Sequence, residues 1–182
     1  MRVFFALMPE VATVAALAHA AAPLPEIRGR PVPRSNYHVT LVFVGQVDAA
    51  GLAACIAAGG RVDGRAFTLD FTSAGSFPRA RVGWLAPTHT PAALATLVAD
   101  LRSALAAAGV GHDPKPFRCH LTIARDICGP LAAQAVSPVA WPVREFALVE
   151  SLSDTTGVRY EIRARWLLRP ACRDETAPPP VQ

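Results

Sequence analysis

Apolar residues recur along this chain in two rhythms, the runs and alternations of strands and the 3- and 4-residue steps of helices. Residues 2–8 form a short apolar run and predict a buried strand. Pro9, followed by Val11, Val14, Ala15, Leu17 and Ala18, predicts a helix to about Ala22. Pro23, Pro25, Gly29, Pro31 and Pro33 then mark a loop, made basic by Arg28, Arg30 and Arg34. Residues 37–44 return to strand character. Asp48 caps a short Ala-rich helix that stops at Gly59-Gly60. Ala66–Phe71 alternates as a half-buried strand, residues 73–78 read as a turn, and Arg81–Ala86 reads as another strand. Thr90-Pro91 opens the clearest helix. Leu94, Leu97, Val98, Leu101 and Leu105 form its single apolar stripe, and Gly109 closes it. After a loop at Gly111–Pro116 comes a strand over residues 117–125, then a connector over 128–140. Residues 143–151 and 158–168 form a hairpin around Ser153–Gly157, and a Pro-rich tail follows.

The predicted order is β-α-β-α-β-β-α-β-β-β, an α+β chain. A helix precedes each of two similar strands, which suggests a duplicated lobe. We expect one bilobal domain over residues 1–168 and a flexible tail over 169–182.

The two similar strands carry the chemistry. Asn36-Tyr37-His38-Val39-Thr40-Leu41-Val42-Phe43 and Phe117-Arg118-Cys119-His120-Leu121-Thr122-Ile123-Ala124-Arg125 both contain His-x-Thr within an apolar run. Residues i and i+2 of a strand share a face. His38 therefore projects beside Thr40 and His120 beside Thr122, with Val39, Leu41, Phe43, Leu121 and Ile123 turned toward a core. If the strands are neighbours, two imidazoles and two hydroxyls converge. One imidazole can take a proton from water and the other can give one to a departing oxygen. The hydroxyls can donate to the non-bridging oxygens of a phosphodiester. A single His-x-Thr is weak evidence, because a lone histidine of this kind is usually a hydrogen-bonded core residue. The repeat changes that reading.

Composition alters the picture little. The chain has 182 residues, 52% of them hydrophobic, and a net charge of +4. An anionic partner is compatible with that charge but not required by it. Cys55, Cys119, Cys128 and Cys172 form no C-x-x-C pair, so reduced thiols and no metal centre are expected. Pro9 and Glu10 interrupt the N-terminal apolar run where a signal peptide would be continuous. A cytoplasmic protein with no membrane span follows as the expectation.

The paired motif, with the N-terminal Arg2–Leu7 strand, Leu148–Ser151 and Gly157–Tyr160, resembles the 2H phosphoesterase superfamily, and within it the RNA 2′,3′-cyclic phosphodiesterases, also called 2′-5′ RNA ligases. The resemblance implies two pseudo-symmetric lobes of antiparallel sheet with flanking helices and an active-site cleft between them. It implies a metal-independent enzyme without cofactor that opens the terminal 2′,3′-cyclic phosphate of RNA to a 2′-phosphate. It makes His38 the proton donor and His120 the proton acceptor. The same site, run in the other direction, would give ATP-independent 2′-5′ ligation. Thr40, Thr122 and Arg125 would hold the phosphate. Strict alternation aims Arg125 away from His120, so a bulge or strand end must intervene. Phe43 and Phe117 are candidates for stacking an RNA base, although alternation puts Phe43 on the core face. The expected partner is an RNA end, met by a monomer. Small cyclic nucleotides or oligonucleotide ends as substrates, or a non-catalytic RNA-end binder of the same fold, are the alternatives.

Overall fold

The computed structural model describes residues 1–24, 29–155 and 157–170. In chain order the elements are β1 (Arg2–Leu7), α1 (Val11–Ala21), β2 (Arg30–Pro31), β3 (Val39–Gln46), α2 (Ala49–Gly59), β4 (Phe67–Phe77), β5 (Val82–Pro87), α3 (Ala92–Ala107), β6 (Leu121–Arg125), β7 (Gln134–Val143), β8 (Glu145–Asp154) and β9 (Gly157–Leu167). The strands form one sheet in the order β7-β4-β5-β6-β3-β1-β8-β9, with β2 added against β6. Every strand pairing is antiparallel.

The α+β class is as expected, and the two lobes are halves of this sheet. The unit β1-α1-β3 and the unit β5-α3-β6 each run strand, helix, His-x-Thr strand, with the two strands paired. Outward, β8 and β9 extend the first half as β4 and β7 extend the second. The halves meet where β3 and β6 pair through one residue pair, Val39 opposite Leu121.

Local chemistry explains the helices. Asp48 caps α2, its carboxylate accepting from the Gly51 amide at 2.8 Å. The α3 stripe of Leu94, Leu97, Val98, Leu101 and Leu105 is buried as its spacing requires. Gly109, at φ +69, closes α3, and the Val110 amide reaches back to the Leu105 carbonyl at 2.9 Å. Pro91, rather than Thr90, sits at the α3 cap position without a side-chain bond. The buried faces of all three helices join one face of the sheet in a single core, which includes Phe5, Leu7, Val39, Leu41, Phe71, Leu121 and Phe146. A smaller cluster of Phe4, Ala6, Ala147 and Val149 lies apart from it, with Phe43 and Tyr160 packed against it.

Two segments differ from the sequence expectation. Residues 73–78 are mostly not a turn, because β4 continues to Phe77. Ser73, Gly75 and Ser76 weaken the strand signal, yet Gly75 pairs with Trp84 so closely that a Cβ there would lie 2.6 Å from the indole. The connector at 128–140 contains most of β7, where Val139, Trp141 and Val143 point inward. Pro138 and Pro142 disguise it. Both are tolerable because β7 is an edge strand, and Pro138 falls where its register with β4 slips. Arg169, assigned to the tail, still belongs to the folded body. Its amide donates to the Gly64 carbonyl at 2.8 Å, and its carbonyl accepts from the Ala66 amide at 2.7 Å. The expected tail beyond Pro170 lies outside the described residues.

Candidate active site

Each histidine immediately precedes its motif strand. With Val39 opposite Leu121 and both fully buried, the register brings Thr40 across from His120 and His38 across from Thr122. These four alternate with core residues and so face away from the main core. Each His-Thr pair therefore belongs to one half of the sheet, and the register sets the two pairs side by side across the junction.

The rings are oriented alike. The Nδ1–H of His38 donates to the Asn36 carbonyl at 2.8 Å, and that of His120 to the Arg118 carbonyl at 2.7 Å. A carbonyl only accepts, so Nδ1 carries the proton and Nε2 is left for chemistry in both rings. The Thr40 hydroxyl lies 3.1 Å from His38 Nε2. Aromatic edges steady both imidazoles. His38 packs against Phe4 and Tyr160 at centroid distances of 5.1 and 5.0 Å, and His120 meets Phe77 edge-on at 5.0 Å. Trp84 supports Phe77 in turn at 5.6 Å, which accounts for the need for glycine at position 75.

Burial lowers the His38 pKa to about 4, helped by the charges of Arg125 and His120 and opposed by the Asn36 carbonyl. The His120 pKa is also lowered, first by burial and then by Arg125, with the Arg118 carbonyl opposing. Cys119 beside it is buried and its thiol is pushed up to about 12, so it offers no thiolate at neutral pH.

A cleft of about 640 Å³ is walled by His38, Thr40, Thr122 and Arg125, and continues past Phe43 and Tyr160. His120 stands outside that wall, near enough for its charge to act on His38. Arg125 reaches the cleft because β6 is irregular. Ala124 pairs with Gly83 and Thr122 with Trp84, so Ile123 is skipped. The required bulge is present. Phe43 likewise departs from strict alternation. The β1–β3 register skips Leu41, putting both Leu41 and Val42 in the core and turning Phe43 to the cleft. Phe117 packs against the main core and does not line the cleft. Arg30, from the basic loop, does line it and pairs with Asp126 at 3.2 Å, whereas Arg28 lies outside the described residues.

Sequence reading overlooked Asn36 and Phe4. A signal was available for Asn36. It stands two residues before His38, as Arg118 stands two before His120, and in both cases that residue's carbonyl fixes the ring. Among the described residues, no group of three or more His, Cys, Asp or Glu comes together.

The family model described as the 2′-5′ RNA ligase superfamily matches residues 9–155. The chain belongs to that superfamily. Within it, the chain is 34% identical over 174 residues to the RNA 2′,3′-cyclic phosphodiesterase of Escherichia coli (strain K12), covering 92% of this chain and 96% of the relative. It is 31% identical over 182 residues to the enzyme of that name from Thermus thermophilus, covering 93% and 91%. Its fold superposes on E. coli LigT complexed with 3′-AMP with a TM-score of 0.84 at 33% identity, covering 92% of this chain and 97% of that one. For TT0787 of Thermus thermophilus the TM-score is 0.78 at 28% identity, covering 93% and 99%. Superfamily membership accounts for nearly the whole chain, including both motif strands.

Proposed function

We propose that this protein hydrolyses the terminal 2′,3′-cyclic phosphate of RNA to a 2′-phosphate by paired general acid and base catalysis. The observation that carries the reading is the identical locking of two imidazoles, each Nδ1–H held by a carbonyl two residues upstream, which leaves Nε2 as the unprotonated nitrogen of each ring, in His38 beside the Thr40 hydroxyl. His120 takes a proton from water as the water oxygen bonds to phosphorus. The bond from phosphorus to O3′ breaks, and protonated His38 supplies the proton that O3′ needs. Thr40 and Thr122 donate to the non-bridging oxygens, and the Arg125 guanidinium balances their charge. An RNA 5′-hydroxyl in place of water would give a 2′-5′ linkage without ATP. The reading requires one copy of the chain and suits a cytoplasmic location. Cys55 and Cys119, buried and free of disulfides, agree with a reducing compartment. Among the described residues no helix is long and apolar enough to cross a membrane.

The test is turnover of an RNA oligonucleotide ending in a 2′,3′-cyclic phosphate, in the presence of EDTA. Wild type should give the 2′-phosphate, and His38→Ala and His120→Ala should each lose roughly 10²–10⁴-fold in kcat. The kcat/KM profile should be a bell centred below pH 6.5, because both free-enzyme imidazoles titrate below their ordinary value. Dependence on added metal, or full activity in either variant, would sink the mechanism.

A further inference from the structure

The cleft extends further than a cyclic phosphate and one nucleoside require. From Thr40 it follows β3 to Phe43, roughly 10 Å along the strand. There it is walled by Arg2 at the start of β1 and by Ser151, Ser153 and Val158 near the tip of the β8–β9 hairpin. The bulge at Leu41–Val42 turns Phe43 into this space, and Phe4 pairs directly beside it. The Arg2 guanidinium stands 5.1 Å from the centre of the Phe43 ring. Arg2 is exposed and, among the described residues, makes no ion pair.

This arrangement has no part in the proton transfers. A half-buried aromatic ring carrying an uncompensated cation at a cleft end fits a phosphate with a base beside it. Guanidinium and aromatic faces both accept unstacked RNA bases, and the N–H edge of arginine takes phosphate oxygens. Thr40 to Phe43 is about the distance from a terminal phosphate to the preceding nucleotide. The Ser151 and Ser153 hydroxyls offer donors to a ribose on the opposite wall.

We propose that Arg2 and Phe43 form a subsite for the nucleotide preceding the cyclic-phosphate end, so that the enzyme selects oligonucleotide ends over free 2′,3′-cyclic mononucleotides. The inference rests on the hydrolase reading and deepens it. Arg2 would take the phosphate that joins the last two nucleotides, and the Arg2–Phe43 pair would support the penultimate base.

The experiment compares kcat/KM for a 2′,3′-cyclic mononucleotide with that for a dinucleotide ending in the same group. Wild type should favour the dinucleotide. Arg2→Gln and Phe43→Leu should each shrink that preference, by roughly 5- to 100-fold where stacking is lost. Arg2→Gln should also flatten the salt dependence of log KM for the dinucleotide by about 0.7 in slope, one phosphate contact on a single strand. Arg2→Lys should keep the salt slope and lose part of the preference. Equal losses on both substrates, or an unchanged preference in properly folded Arg2→Gln, would overturn the subsite while leaving the hydrolase intact. Failure of wild type to turn over either substrate would instead overturn the hydrolase reading and the subsite with it.

Discussion

Asn36 shows how much of this site depends on a residue that need not touch substrate. Its carbonyl holds the His38 Nδ1–H, while its own side-chain amide donates to the Val158 carbonyl at 2.6 Å and is buried. The ring is thus positioned through a bond that crosses from the turn before β3 to the start of β9. Asn36→Ala removes the cross-link and leaves the Val158 carbonyl without that donor. It should lower kcat by about 10- to 100-fold through misplacement of the ring, and stability by about 1–2 kcal/mol. A structural role alone would move the melting temperature and spare the pH profile. Positioning of His38 requires the limb of the profile assigned to the proton donor to shift as well. The motif residues themselves were legible in the sequence, because their chemistry and their i, i+2 spacing are written in side chains. Asn36 was not, because its decisive group is a backbone carbonyl.

At the scale of elements, regular segments could be read and irregular ones could not. The α3 stripe, the Asp48 cap and the β8–β9 hairpin follow from periodicity and turn chemistry, and all three are found. Phe43 and most of β7 escaped the pattern for a shared reason. Period-2 reasoning assumes an unbroken register, and here bulges displace it at Leu41 and around Pro138. Arg125 needed the same correction at Ile123, and there a mismatch between charge and alternation flagged the bulge in advance. Pairing also conceals a charge inside the sheet. Glu150 on β8 is buried, 4% exposed, and Arg163 on β9 donates to it at 2.6 Å. Arg163→Met would leave that carboxylate without its main partner. Loss of one partner of a fully buried pair costs about 3–5 kcal/mol. With the Arg163 side chain 37% exposed, about 2 kcal/mol is the expected loss once solvent screening is allowed for, read from denaturant unfolding. Met at 163 with Leu at 150 should recover most of it.

Over the whole molecule, a duplicated unit has been folded so that two copies of one motif meet at the single junction of Val39 with Leu121. Each half contributes one imidazole, and assembling the site forces two like-charged groups toward each other. The charge of His120 accordingly helps to hold the His38 pKa down, behind burial and Arg125. The same arrangement ties stability to pH. His38 titrates near 6.5 when unfolded and at about 4 when folded, so between those values the unfolded chain binds the extra proton. Folding free energy is therefore fully present above pH 6.5 and declines as pH falls toward 4. His120, shifted the same way, adds to the decline over its own interval. Replacing both with glutamine removes the titrating groups while keeping polar side chains of similar reach. The melting temperature of His38→Gln/His120→Gln should then fall less than that of wild type between pH 6.5 and 4. Parallel curves would mean that the folded protein holds both imidazoles at ordinary values, and that the repulsion built into the junction is relieved by movement of the two halves.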